Sequence, residues 1–287
     1  MGKIIYGDNL PILQQWQENT IDLIYIDPPF NTGKRQEKHT TKTSIDPKKG
    51  DRTGFKGKRY KTIHIETTGY NDKFDNFIDF ISSRANEAYR ILKDNGSLFF
   101  HIDYREAHYC KVLLDEIFGR DSFINEIIWA YDYGGRTKSR WPAKHDTILW
   151  YAKNHKSYTF NYEEMDRIPY MAPGLVGAKK ANKGKTPTDV WWHTIVSPTG
   201  KEKTGYATQK PLGIIKRIIK IHSNPNDTVM DFFAGSGTTG EASALLNRNY
   251  ILIDNNPEAL LIMKKRLQNY NPTIINSEDT NTLPSIR

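Results

Sequence analysis

The chain has 287 residues, 37% hydrophobic and 12% aromatic, with 41 Lys and Arg against 33 Asp and Glu for a net charge of +8. That apolar content excludes wholesale disorder, and a mean hydropathy of −0.67 without a long apolar run excludes a transmembrane helix. The single cysteine, Cys110, excludes a disulfide framework and a multi-cysteine metal site. A pI near 9.2 suits a polyanionic partner, and the reading is of a soluble, intracellular protein.

In chain order, Lys3–Tyr6 and Asp22–Ile26 are β-rich apolar runs flanking a helical Leu10–Trp16, a strand–helix–strand pattern that implies a parallel pair. Residues 31–70 hold eleven Lys or Arg against four acids and no apolar periodicity, which predicts a long basic loop. Charge alone fits a solvated loop and a phosphate clamp equally well. Phe74 to Leu92 carries apolar residues at helical spacing and ends at Asn95-Gly96. A buried strand at Ser97–Ile102 and an amphipathic helix near Glu106–Phe118 follow. Asn125–Tyr131 and Thr147–Tyr151 read as strands joined by a basic, Gly-rich link. Residues 161–204 lack periodicity and resemble an inserted recognition region. Helix Pro211–His222, strand Thr228–Phe232, helix Gly237–Leu246, strand Tyr250–Ile253 and helix Pro257–Gln268 complete a doubly wound α/β pattern.

Two motifs carry chemistry. Strand Thr228–Phe232 runs into a glycine turn with Gly235, Gly237 and Gly240 at dinucleotide-motif spacing, and Asp254 ends the next strand, where a carboxylate reads a ribose diol. The pattern indicates a nucleoside cofactor without choosing between NAD and S-adenosylmethionine. The second motif, Asp27-Pro28-Pro29-Phe30, ends a buried strand at the edge where α/β sheets bind ligands. Asp-Pro-Pro also makes a rigid turn unaided. Its alternative use is to present a carboxylate, a fixed carbonyl and an aromatic face to a nucleobase amine. Two acceptors favour a pyramidal nitrogen and free its lone pair for attack on a sulfonium methyl.

These motifs resemble the amino-methyltransferases of DNA, which modify adenine N6 or cytosine N4. The family's (D/N/S)-P-P-(Y/F/W) and F-x-G-x-G signatures stand here as Asp27–Phe30 and Phe233-Ala234-Gly235-Ser236-Gly237. The tetrapeptide precedes the glycine motif, which is similar to the permuted β-class order. Gly7-Asp8-Asn9, Gly96–His101 and Thr208-Gln209-Lys210-Pro211 also match. The resemblance implies a circularly permuted, Rossmann-like methyltransferase sheet with an inserted target-recognition region and a long basic loop. It divides the chain into a catalytic half at 1–30 and 71–124, a basic loop at 31–70, a recognition region at 125–205, a cofactor half at 206–270 and a tail at 271–287.

The resemblance also implies residue roles. Asp27, Pro28 and Phe30 hold the target base, and Pro29 fixes their geometry. Phe232, Phe233, Ala234, Gly235, Ser236, Gly237 and Thr238 surround S-adenosylmethionine, with Asp254 on its ribose and Asp8 near its adenine. Thr208, Gln209 and Lys210 close the site, Asp231 orients the cofactor's amino group or caps its strand, and Asn255 is a neighbour. A paired base must leave the stack to react. Lys34, Arg35, Lys48, Lys49, Arg52, Lys56, Lys58 and Arg59 are then candidate phosphate clamps, and Arg136, Lys138, Arg140 and Lys144 contact bases or backbone. Double-stranded DNA is the expected substrate, a prokaryotic cytoplasm the expected location, and a restriction endonuclease and a second copy of the chain are candidate partners.

Asp at the tetrapeptide's first position favours adenine N6, since cytosine-N4 enzymes usually carry Ser there. An NAD-dependent dehydrogenase would leave the tetrapeptide idle and lacks chain beyond Asp254 for a second half-fold, and an intact tetrapeptide argues against a silent DNA-binding relative. Cys110, on a helix, is a packing residue and gives no support to cytosine C5 chemistry. No histidine spacing fits a metal, so none is expected. In Trp191-Trp192-His193, a hydrophobic plug is the favoured reading over base stacking.

Overall fold

The computed structural model describes residues 1–31, 34–46, 51–53, 59–72, 74, 76–197 and 199–277. The chain forms two compact units, Met1–Pro28 with Asn76–Arg287, and Pro29–Asp75. The larger is built on a nine-stranded sheet and the smaller on a three-stranded one.

In the large unit, β1 (Gly2–Tyr6), β2 (Ile21–Ile26) and α1 (Asn9–Gln14) form the first strand–helix–strand unit. The small unit holds β3 (Lys34–Ile45), β4 (Arg52–Thr53) and β5 (Arg59–Asp72). The large unit resumes with α2 (Phe77–Ile91), β6 (Leu92–Ile102), α3 (Ala107–Phe118), β7 (Phe123–Ala130) and β8 (His145–Ala152). Then come α4 (Ala178–Lys183), β9 (Val190–Trp192), α5 (Leu212–His222), β10 (Thr228–Asp231), α6 (Thr238–Leu245), β11 (Asn249–Asp254), α7 (Pro257–Leu267) and β12 (Thr273–Asn276).

The sheet order is β12-β1-β11-β10-β2-β6-β8-β7-β9. The pairs from β12 to β6 are parallel, β8 is antiparallel to both β6 and β7, and β9 is parallel to β7. From β10 the chain winds outward through β11, and from β2 it winds the other way through β6. The β10–β2 seam is thus a topological switch point, where α/β sheets leave a crevice at the carboxyl ends of their strands.

Burial on both faces explains the near-continuous apolar strands; every residue of β2 is buried. On one face, Ile214, Ile215, Ile218 and Ile219 of α5, at helical spacing, pack over Leu23, Tyr25, Phe99, Ile148 and Trp150. A second cluster seats Ala259, Met263 and Leu267 of α7 on Ile4, Tyr250 and Leu252. Local capping sets the helix starts. Asn76 Oδ1 accepts from Asp79 N at 3.1 Å, so α2 begins at Phe77 rather than at the expected Phe74.

Two segments differ from expectation. The basic segment, expected as a loop, contains β3 and β5, which pair antiparallel from Lys34↔Asp72 to Ile45↔Tyr60. Its Thr, Ile and Tyr content supports strands without the alternating apolar pattern that marks a half-buried one. Residues 273–276, expected as tail, form an edge strand on β1 (Lys3↔Thr273). Within residues 125–205, expected as a recognition region, β9 joins the sheet through Trp129↔Trp191. Trp191 is buried, as the plug reading expects, whereas Trp192 is exposed. Cys110 is buried, and burial raises its thiol to about 12, consistent with packing.

His222, at the end of α5, is enclosed by Phe99, Trp150 and Phe160, with ring centroids 4.7, 4.3 and 5.3 Å away. Burial pushes its imidazole down to about 3. Because the folded value lies below the unfolded one, about 6.5, its contribution to stability is present above pH 6.5 and is lost as pH falls toward 3. Urea unfolding of the wild type and His222→Phe across pH 3–7 should therefore show the wild type losing more stability on acidification. Parallel pH profiles would contradict this.

Candidate active site

The carboxyl ends of β1, β11, β10, β2 and β6 deliver Asp8, Asp254, Asp231, Asp27 and His101 to one edge of the sheet. Asp27 leaves β2 next to β10, through the pairs Val229↔Leu23 and Met230↔Ile24. The Lys210 ammonium forms an ion pair with Asp27 Oδ2. Asp27 Oδ1 is buried and has no hydrogen-bond partner among the described residues. A buried acceptor without a donor is costly, so this oxygen is suited to an incoming N–H group. Pro29 and Phe30 continue from Asp27-Pro28 into the small unit.

Behind Asp27 lies a polar chain that the motifs do not contain. His101 is fully buried, with Nδ1 3.9 Å from Asp27 Oδ1. Its Nε2 stands 3.1 Å from Asp146 Oδ2, a carboxylate that can only accept, so Nε2–H donates, and Nδ1 lies 2.7 Å from the Tyr25 hydroxyl. The Tyr131 hydroxyl donates to Asp146 Oδ1 at 3.1 Å. Burial pushes the Asp146 carboxyl up, but the hydrogen bond and charge of His101, with the charge of Lys210, outweigh it and leave it below the usual range. Burial, followed by the charges of Asp27, Asp231 and Asp146, holds the Tyr25 phenol well above its ordinary value. A histidine ending a buried strand at a ligand-bearing edge was the one available signal. Its partner Asp146 is visible only through the β6–β8 pairing.

Across the seam, the turn after β10 is shaped by backbone conformation. Gly235 and Gly237 have φ of +49° and +73°, values that side-chain-bearing residues rarely adopt. Asp254 Oδ2 accepts from Gly235 N at 2.7 Å and Oδ1 from Asn256 N at 2.8 Å. Burial nevertheless raises the Asp254 carboxyl. Asp231 Oδ1 accepts from Phe233 N at 3.0 Å and Oδ2 from Thr239 Oγ1 at 2.6 Å, yet burial raises it to about 7. Its visible job is to brace the turn. Positive-φ glycines, a helix N-terminus and a carboxylate beside them form a cradle that fits a nucleoside with an adjoining polar tail.

The remaining expected residues fall as follows. Phe232 is fully buried, and Phe233 packs on Phe80 with centroids 5.9 Å apart. Ala234, Ser236 and Thr238 are buried, and Thr238 Oγ1 donates to Lys210 O at 3.2 Å, joining the glycine turn to the Thr208–Pro211 segment. Asp8 caps α1 through Leu10 N at 3.1 Å and pairs with Arg84 at 3.3 Å. Gln209 is buried and folds its own segment, accepting from Thr204 N and donating to Glu202 O, each at 2.8 Å. Thr208 and Asn255 are exposed. Lys34 and Arg35 lie on β3, Arg52 on β4 and Arg59 on β5; Lys48, Lys49, Lys56 and Lys58 lie outside the described residues. Lys138 and Arg140 are exposed in the β7–β8 loop, while Arg136 pairs with Asp132 at 3.1 Å and Lys144 Nζ bonds carbonyls of the same loop. Among the described residues, no group of His, Cys, Asp or Glu is arranged to hold a metal.

An N6/N4 family model described as DNA methylase matches residues 21–265. The type II methyltransferase M.HpaI of Haemophilus parainfluenzae is 30% identical over 92% of this chain and 74% of its own length. The DNA adenine methyltransferase YhdJ of Escherichia coli K12 is 30% identical over 92% of the chain and 82% of its own. Among solved structures, the M1.HpyAVI–SAM complex has a TM-score of 0.59 at 24% identity, covering 93% of this chain and 99% of that one.

Arg266 was not signalled by any motif. Its guanidinium lies under the glycine turn, donating from Nη1 to Thr238 Oγ1 at 2.9 Å and Ser236 Oγ at 3.2 Å, and from Nε to Glu241 at 2.5 Å. Removing one partner of a buried ion pair leaves the other uncompensated. Arg266→Ala should therefore lower the unfolding free energy by about 3 kcal/mol. It should also speed amide exchange at 236–238 selectively; unchanged stability and exchange would remove Arg266 from the account.

Proposed function

The chain belongs to the N6/N4 DNA methylase family, and from that premise we propose that it methylates adenine N6 within a specific sequence of duplex DNA. The observation that carries this reading is the Asp27 carboxylate, with one oxygen held by Lys210 and the other buried without a partner, next to the glycine turn.

S-adenosylmethionine, when bound, supplies an electrophilic sulfonium methyl. The turn from Phe232 to Thr238 would hold it, with the Asp254 carboxylate on its ribose and Thr208–Lys210 alongside. The target amine is a poor nucleophile because its lone pair is delocalised into the base. Asp27 Oδ1 and the Pro28 carbonyl accept its two N–H bonds out of the ring plane, localising the lone pair on nitrogen, and Phe30 supports the ring. Lys210 fixes the other Asp27 oxygen, and the His101–Asp146 pair with Tyr25 holds the strand ends around it. As nitrogen gains a methyl group it must lose a proton, and Asp27 Oδ1 is the acceptor in place to receive it.

Asp27 at the first tetrapeptide position favours adenine over cytosine, and the relation to YhdJ supports that choice. The target reaches Asp27 by leaving the duplex stack, with cations of the β7–β8 loop on flanking phosphates, and the Lys and Arg residues expected as phosphate clamps between positions 34 and 59 add to the attraction for the polyanion. The likeness to M.HpaI, a type II methyltransferase, supports a cognate restriction endonuclease as partner. A homodimer is the companion expectation for oligomeric state.

Expression in a methylation-free host followed by modified-base sequencing tests this reading. The wild type should leave N6-methyladenine at one recurring motif. Asp27→Ala should leave none while retaining cofactor affinity within about threefold, since its loss falls on the transfer step. N4-methylcytosine would overturn the choice of base, and modification by Asp27→Ala would overturn the site.

A further inference from the structure

Trp141 is 95% exposed, the fullest exposure of any tryptophan among the described residues. It lies between Arg140 and Pro142 in the loop joining β7 to β8. That loop is braced from within. Tyr131 N donates to Lys144 O at 3.0 Å, closing the neck just beyond the Ala130↔His145 pair. Lys144 Nζ donates to the carbonyls of Tyr133, Gly134 and Gly135. Thr137 Oγ1 accepts from Ser139 N and Arg140 N, at 3.3 and 3.1 Å, and donates to Arg140 O at 3.0 Å. An indole held out on a braced scaffold has ordering cost already met and apolar surface left in water, the arrangement expected of a stacking contact.

Register fixes where the loop emerges. Ile26 pairs with Phe100, and Ile102, two residues further along β6, pairs with Thr147 at the start of β8. The loop therefore leaves the same sheet edge as Asp27. With neighbouring strands about 4.8 Å apart, β8 lies roughly 10 Å to the side of β2. The neck is also tied to the site, since Tyr131 hydrogen-bonds Asp146, which hydrogen-bonds His101. Lys138 and Arg140, in the same loop, have no acidic partner among the described residues. An aromatic face beside free cations matches duplex DNA, in which a base stack lies next to phosphate rows.

We infer that Trp141 is the wedge that enters the duplex beside the target and stacks where the extruded base stood, with Lys138 and Arg140 on the flanking phosphates. The inference rests on the methyl-transfer reading above. Extruding a base leaves a gap in the stack, and an apolar side chain inserted between base steps offsets that loss. Trp192, exposed at the same edge, sits in β9 with its backbone committed to the sheet, and serves as the comparison.

The test is single-turnover transfer from labelled S-adenosylmethionine to oligonucleotide duplexes carrying the motif found by genome sequencing. One duplex pairs the target base normally, and the other sets it opposite an abasic site, where little stacking remains to be broken. Trp141→Ala should lose about tenfold or more on the paired duplex and come within about twofold of wild type on the abasic one. Trp141→Phe should retain most of the activity, and Trp192→Ala should show no dependence on the opposing base. Unchanged cofactor affinity confirms that each variant is folded. Equal losses on both duplexes, or no loss on either, would overturn the wedge. The duplexes are built around whichever base the wild type modifies, so an error in the base leaves this test intact. A wild type that modifies no DNA overturns the underlying reading.

Discussion

The candidate site depends on one short pairing, Val229↔Leu23 and Met230↔Ile24, which joins β10 to β2 at the centre of the sheet. Parallel strands direct their carboxyl ends the same way. The seam therefore places the residue after β2, Asp27, and the turn after β10, Phe232 to Gly237, at one edge although some 200 residues separate them in sequence. The winding reverses there, so no crossover helix covers that edge. The contacts of Lys210 complete the join, because its ammonium pairs with Asp27 while its carbonyl accepts from Thr238. A shift of one residue at the seam would turn the alternating side chains of β2 to the wrong faces and break both contacts.

Gathering Asp27, Asp146, Asp231 and Asp254 at one buried edge is electrostatically unfavourable, and each carboxylate is managed differently. Asp27 and Asp146 have cationic or N–H partners in Lys210 and His101. Asp254 and Asp231 rely on backbone N–H groups and a hydroxyl, and burial keeps both raised, Asp231 to about 7. The group left with an unfilled acceptor is Asp27, through Oδ1. Buried polar groups are usually satisfied, and this exception at the mouth of a crevice is the oxygen to which we assign the target amine.

Much of this was legible in the sequence because it is local. Asp27–Phe30 and Phe233–Gly237 are contiguous motifs, and the helices announced themselves by spacing, Ile214 to Ile219 most clearly. What stayed hidden depends on long-range pairing. His101 reads from sequence only as part of a buried strand, and the pairing of β6 with β8 brings Asp146 to its ring. Arg266 reads as one more cation in a helix's last turn until α7 packs beneath the glycine turn. The strands of the basic segment lack apolar alternation, and β12 is short and gains its identity only from β1. Trp141 is the opposite case, because what marks it is an indole left almost wholly exposed among the described residues, which only a folded chain reveals.

The most direct test of the central claim is a crystal structure of the chain with a non-reactive S-adenosylmethionine analogue and a duplex containing its motif. The account predicts the analogue in the turn after β10, its ribose hydroxyls on Asp254, and the target base extruded with its amine on Asp27 Oδ1 and the Pro28 carbonyl, in line with the sulfur centre. An analogue bound away from the β10–β2 edge, or a target amine that does not touch Asp27, would contradict it.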